Sequence, residues 1–204
     1  MASCIGPERG IFVVMSETPQ DDVFGLITTD RFGGWITLRQ FTYLADFASQ
    51  HSPGDDPRVT DWQNHIAELA TEARSFTLRA QLHRLGVHEL DLSEGLPTPK
   101  QKEIFNAFVE NEQTYCDRVV DALTRYYGAV RDDWDALEDD EKFANPSREN
   151  LASLVEFDSL VVTDRHLNFT MRPAWDTEHG MGAIMYQGQV VMVGSSDDIG
   201  EFTG

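Results

Sequence analysis

An α+β fold is predicted by this sequence: an antiparallel sheet of N-terminal strands plus a C-terminal four-strand meander, packed against one long helix, with an extra helical insertion. Three observations predict it. Residues 98–128 carry the clearest helical pattern, four strand-like runs fill the stretch from residue 154 to 193, and two more runs flank a turn cluster near residue 32. A helix laid across an antiparallel sheet buries the apolar face of each.

Residues 1–20 read as a flexible lead-in with a short apolar run at Ile11–Val14. Val23–Ile27 and Trp35–Tyr43 are strand-like, and Asp30-Arg31-Phe32-Gly33-Gly34 between them supplies hairpin turn residues. Ile36 and Leu38 share a face with Gln40 and Thr42, while Trp35, Phe41 and Tyr43 share the other, so either side could be the buried one. The breaker cluster His51-Ser52-Pro53-Gly54-Asp55-Asp56-Pro57 is a loop. Thr60-Asp61-Trp62 opens a helix to about Ala73, with Ile66, Leu69, Ala70 and Ala73 on one face. Phe76, Leu78, Ala80 and Leu82 then alternate with polar residues, which favours a strand over a continuation of that helix.

The long helix begins at Thr98, an N-cap followed by Pro99 at the first helical position and by Gln101, which completes a capping box. Ile104, Phe108, Tyr115, Val119, Leu123 and Tyr126 recur at helical spacing, and Gly128 supplies a C-cap. About 29 residues at 1.5 Å each would span about 44 Å, enough to cross a small sheet. Asn145-Pro146 caps a short helix to about Ser153. The runs Leu154–Thr163, His166–Trp175, Met181–Tyr186 and Gln189–Val193 complete the chain, with Gln187-Gly188 as a two-residue hairpin turn. Residues 21–194 therefore form a single domain, with the insertion at about 45–74, and 195–204 read as a loose polar tail.

The net charge of -19, from 35 acidic and 16 basic residues, repels nucleic acid and anionic membranes and suits a basic protein partner. The two cysteines, Cys4 and Cys116, make no disulfide framework, and Cys116 falls on the apolar side of the long helix. No apolar run approaches the ~18 residues of a membrane span, and the N-terminus lacks a basic n-region and a long apolar h-region. The expected location is the cytoplasm.

Two stretches could carry chemistry. In the loop of residues 175–182, Asp176, Glu178 and His179 place two carboxylates and an imidazole within four positions, suited to a metal or to proton transfer. The structural alternative makes Asp176 the acceptor of an Asx-type turn, gives Gly180 a positive φ, and anchors the turn through Trp175. The second stretch is the acidic run Asp132, Asp133, Asp135, Glu138, Asp139, Asp140 and Glu141. It lacks the glycine of a calcium loop, but Trp134 within it gives a negative patch an aromatic anchor, as a protein-docking surface would have. The histidines show no metal-ligand spacing, His83 and His88 flank Gly86 as if exposed, and nucleotide-binding and serine-nucleophile motifs are lacking. No cofactor is implied.

Trp35 in an early strand, the T-P-x-Q start of the long helix with Tyr126-Tyr127 at its end, and the closing Trp175-Asp176-x-Glu178-His179-Gly180-x-Gly182 occur together. In this combination the chain resembles a family of small bacterial α+β domains of unknown function over residues 24–194. The resemblance implies a role like that of the small acidic immunity proteins found beside bacterial toxins, and brings no catalytic residues. The leading expectation is thus an acidic binding protein rather than an enzyme, one that neutralises a basic toxin domain by occlusion. The alternatives are a metal-dependent or acid–base enzyme using the 175–182 loop, and an assembly module that dimerises through a sheet edge.

Overall fold

The computed structural model describes residues 20–29, 35–43, 57–66, 68–69, 81–83, 85, 87–92, 96–130, 147–176 and 178–200. The lead-in before Gln20, the turn at 30–34, most of the 51–57 loop, the acidic run and residues 201–204 lie outside them. The fold is α+β. Among the described residues its main sheet has seven strands in spatial order β3 (Thr28–Thr29), β4 (Trp35–Gln40), β5 (Val87–Asp91), β6 (Val155–Val162), β7 (Leu167–Pro173), β8 (Met181–Tyr186) and β9 (Gln189–Ser195). A separate two-stranded ribbon pairs β1 (Gln20–Asp21) with β2 (Gly25–Leu26).

The C-terminal meander β6–β9 is antiparallel throughout, and Gln187 and Gly188 turn its last hairpin with φ of 48° and 72°, as a type I′ turn requires. The sheet as a whole is mixed rather than antiparallel, because β5 runs parallel to β6. The pattern of residues 87–91 gave no strand signal, for a physical reason. This strand is central and covered on both faces, so Val87, His88 and Leu90 are all buried and no polar–apolar alternation develops. Parallel neighbours need a long crossover. Helices α2 (Pro99–Glu110), α3 (Glu112–Val130) and α4 (Arg148–Leu154) lie within it.

The expected single long helix is two helices. Asn111 ends α2 with φ of -127°, its N–H bonded to Phe108 O at 2.9 Å and its side-chain amide to Ala107 O at 2.9 Å. The break falls where the apolar stripe skips a turn, between Phe108 and Tyr115, and puts Asn111 and Glu112 where an apolar residue would continue it. Nor does Gly128 end the second helix, which runs on to Val130. The capping box at Thr98 is present, with Gln101 N–H to Thr98 Oγ1 at 3.1 Å and Thr98 N–H to Gln101 Oε1 at 2.9 Å. Gln101 does more than cap. Its buried amide donates to Leu92 O at 2.9 Å and Val162 O at 2.8 Å, tying the start of α2 to the ends of β5 and β6. Gln101→Leu leaves these carbonyls and the Thr98 N–H unpaired, and is expected to cost about 2–3 kcal/mol in urea unfolding. A loss under about 0.5 kcal/mol would show that the amide is not a structural tie.

One face of the sheet packs on α2 and α3 around Phe105, Phe108, Val119, Leu123, Phe157 and Phe169. Phe24, 4.9 Å from Phe105 between ring centres, brings the β1–β2 ribbon onto this core, and Lys102 holds the ribbon by ion pairs of 2.7 Å to Asp21 and 2.6 Å to Asp22. The other face carries a smaller cluster in which Ile36, Leu38 and Val87 meet Val59, Leu69 and Leu82. So β4 and the residue after it are buried on both sides: Ile36 and Leu38 face the small cluster, Trp35 and, just past the strand, Phe41 the large one.

Three further expectations are corrected. The helix from Thr60 is broken: α1 (Pro57–Thr60) ends at Asp61, a 3-10 turn spans Trp62–Asn64, and helical residues resume at Ile66. Residues 81–83, expected as the end of a strand, are helical, and Leu82 there contributes to the small cluster. The tail is not loose at its start. After β9, Ser196–Gly200 forms helix α5, and Ile199 is 4% exposed. An apolar residue every few positions was the missing cue, since Ile199 is the lone large apolar residue between Val193 and Phe202. A smaller shift concerns the cap of α4, which is Ser147, accepting from Asn150 N–H at 3.2 Å.

Among the described residues β9 is an edge of the main sheet, and it carries neither charge nor proline. Its pairing with β8 shifts between Ile184 and Met185, leaving Val191 as an extra, 49% exposed residue. Such a bulge bends an edge away from strand-on-strand pairing.

Candidate functional site

The loop from β7 to β8 builds a compact corner from Trp175, Asp176, Glu178, His179 and Gly180. Trp175 anchors it, with its ring centre 4.6 Å from that of the buried Tyr127 on α3. Asp176 Oδ1 accepts the His179 backbone N–H at 3.1 Å and lies 3.0 Å from His179 Nδ1, closing an Asx-type turn and fixing the imidazole with one carboxylate. Gly180, at φ +69°, turns the chain into β8, and a Cβ there would lie 3.0 Å from Ser196 Oγ and 3.2 Å from Met171 O.

Helix α5 closes the corner from the other side. Ser196 N–H donates to Gly180 O at 3.4 Å, and Ser195 Oγ donates to Asp198 Oδ2 at 2.7 Å while accepting the Asp198 N–H at 3.2 Å. Asp176, Glu178 and Asp197 thus place three carboxylates around a single imidazole. The hydrogen bond to Asp176 and that carboxylate's charge raise the pKa of His179, with further support from Glu178 and Asp197. Burial works against ionisation of Asp176, but the His179 backbone and ring bonds outweigh it and hold the carboxyl below its ordinary value. Tyr126 on α3 is pushed up by burial and then by Asp198 and Asp176, so the same negative field reaches the helix.

This arrangement can hold a proton on an exposed imidazole. The Ser195 hydroxyl nearby is committed to Asp198. Among the described residues no three His, Cys, Asp or Glu side chains are placed to share a metal ion. The His179 titration reports the corner directly. Its NMR pKa is expected above the ordinary 6.5 and to fall back toward 6.5 in Asp176→Asn; an unchanged value in that variant would remove Asp176 as the cause.

The predicted docking residues Asp132, Asp133, Trp134, Asp135, Glu138, Asp139, Asp140 and Glu141 lie outside the described residues. His83 and His88, expected to be exposed, are 1% and 0% exposed. Their rings stack at 4.3 Å, and His83 Nδ1 lies 3.1 Å from Glu156 Oε1. Stacked imidazoles direct their in-plane lone pairs side by side rather than at one point, so the pair is a packing feature rather than a chelate. His88 takes an apolar position, with Phe157 edge-on at 4.7 Å. Cys116 is buried, and burial followed by the charges of Glu112 and Asp117 pushes its thiol up to about 12, which makes it an unreactive core residue.

Sequence reasoning did not join Tyr126, Asp197 and Asp198 to the 176–179 carboxylates, because they come from a helix and from a segment read as loose. It also missed a cleft beside Tyr115 in α3's first turn, whose lining comes from four separate segments.

No curated protein and no solved structure matches the chain significantly. A family described as Domain of unknown function (DUF6985) matches residues 74–200, which carry β5 to β9 and every helix from α2 onward; β4 pairs with β5 from outside the matched part. Covering more than half of the sequence, that match makes this chain a member of the DUF6985 family.

Proposed function

We propose that this protein is an acidic, cytoplasmic binding protein that occludes a basic protein partner, most concretely an immunity protein that neutralises a basic toxin domain. The net charge of -19 carries this reading. An excess of carboxylates speeds encounter with a basic surface and disfavours anionic competitors. The exposed Glu178, Asp197 and Asp198 supply one negative corner, and the acidic run at 132–141 would supply another. Among the described residues no helix is long and apolar enough to cross a membrane, which is compatible with this placement. The test is co-expression with a basic toxin domain encoded beside it. Restored growth is the expected result; continued killing with both proteins present in the cell would overturn the reading.

A second reading, acid–base chemistry, is favoured by the 3.0 Å contact between Asp176 and His179. It requires that the Asp176→Ala, His179→Ala double variant lose a turnover that the folded parent shows.

A further inference from the structure

We infer that the cleft between α2, the first turn of α3 and the ends of β7 and β8 binds a flat, apolar small molecule of no net charge. Its volume is about 580 Å³, within the roughly 300–1,000 Å³ typical of small-molecule sites. The floor is apolar, made by Ile104 of α2, Leu167 of β7 and Met185 of β8. Tyr115 and Tyr186 stand in the walls, and phenol rings and a methionine thioether have aromatic rings as their favoured partners.

The rim sets the charge of the ligand. Lys100 and Arg165 are balanced there by Glu103 and Asp164, so the rim is neutral on a protein of net charge -19. Lys100 Nζ is paired with Glu103 Oε2 at 2.8 Å, and Asp164 accepts a hydrogen bond from the Thr98 hydroxyl at the start of α2. An anionic ligand would have to compete with Asp164 for that helix end and with Glu103 for Lys100. A cationic one would have to displace Lys100 from Glu103. An uncharged molecule leaves both arrangements intact and gains the floor.

The walls are also built in advance. Gly188, at φ +72°, is held by the Arg118 guanidinium, which donates to its carbonyl, and a Cβ on it would sit 3.1 Å from the Tyr115 hydroxyl. Gln187 Nε2 donates to the Tyr186 hydroxyl at 3.2 Å. A cleft with pinned walls has little ordering left to undergo on binding.

The full chain titrated with prodan, an uncharged naphthalene fluorophore, tests this. The expected result is saturable 1:1 binding with a blue shift, with the anionic analogue ANS and the cationic dye thioflavin T each at least tenfold weaker. Ala107→Trp, which fills the cleft from α2, is expected to weaken prodan at least tenfold with its melting temperature within a few degrees of the parent. Tyr186→Ser, at a 41% exposed position, carries the same test through the wall, with at least a fivefold loss. Absence of saturable binding by the folded parent, prodan binding unchanged in both folded variants, or tighter binding of thioflavin T would each overturn the inference.

Discussion

Phe108→Ala is expected to destabilise the protein by about 3–5 kcal/mol, the usual range for emptying a buried phenylalanine site. Phe108 is fully buried, and its ring centre lies 5.7 Å from Phe41, 6.0 Å from Tyr115 and 5.8 Å from Phe169. It therefore joins the end of β4, both helices and the meander at one point, just before the chain breaks at Asn111. None of these neighbours can collapse into the space without moving a whole element, which puts the expected cost at the high end. Val109→Ala, at the next position but 47% exposed, is the control, with an expected change within about 0.5 kcal/mol. Urea unfolding of the two variants measures the difference. A Phe108→Ala cost near that of the control would mean that the two helices do not share a core with the meander.

The second large effect is loss of stability in mild acid. Burial, the neighbouring His83 and, in the opposite sense, the Asp158 backbone set the pKa of His88, and the net result is well below the ordinary 6.5. A group whose pKa is lower folded than unfolded contributes stability that is complete above the unfolded pKa and is lost as pH falls from there toward the folded value. Stability should therefore fall below about pH 6.5 by up to about 1.4 kcal/mol per pH unit from this group. The charges around it do not rescue the protonated ring. Glu156 is engaged by His83, Arg172 pairs with Asp158 at 3.2 Å, and Arg39 lies opposite His88 in the β4–β5 register. His179 works in the other direction: its raised pKa gives stability that is present below 6.5 and lost as pH rises through its folded value. His88→Phe keeps a ring among Phe41, His83 and Phe157 and is expected to flatten the slope between pH 6.5 and 5. An equal slope in parent and variant would place the acid sensitivity elsewhere.

What could be read from the sequence follows from where information is local. The meander, the Gln187-Gly188 turn and the Thr98 capping box depend on neighbours within a few residues, and their signals were plain. The parallel strand β5 was hidden because its burial comes from both faces and one of its buried residues, His88, is a histidine. The helix break was legible only as a gap in the stripe at Asn111 and Glu112. At the candidate corner, Asp176, His179 and Gly180 form their turn by contacts within three residues, so residue type and spacing sufficed. The approach of Asp197, Asp198 and Tyr126 depends on the docking of α5 and α3, which no local pattern encodes. The same holds for the cleft, where Lys100 and Gly188 meet across 88 positions of chain.

The most direct test of the proposed occlusion is the affinity for a basic toxin domain encoded beside this protein, measured by biosensor at 50 mM and 500 mM salt. Two variants complete it: one with Asp132, Asp133, Asp135, Asp139 and Asp140 changed to Asn, and one with Glu178→Gln, Asp197→Asn and Asp198→Asn. The account predicts at least a tenfold loss of affinity with salt in the parent, and a smaller salt response together with weaker low-salt binding in one or both variants. Affinity that is unchanged by salt and by both sets of substitutions would contradict it.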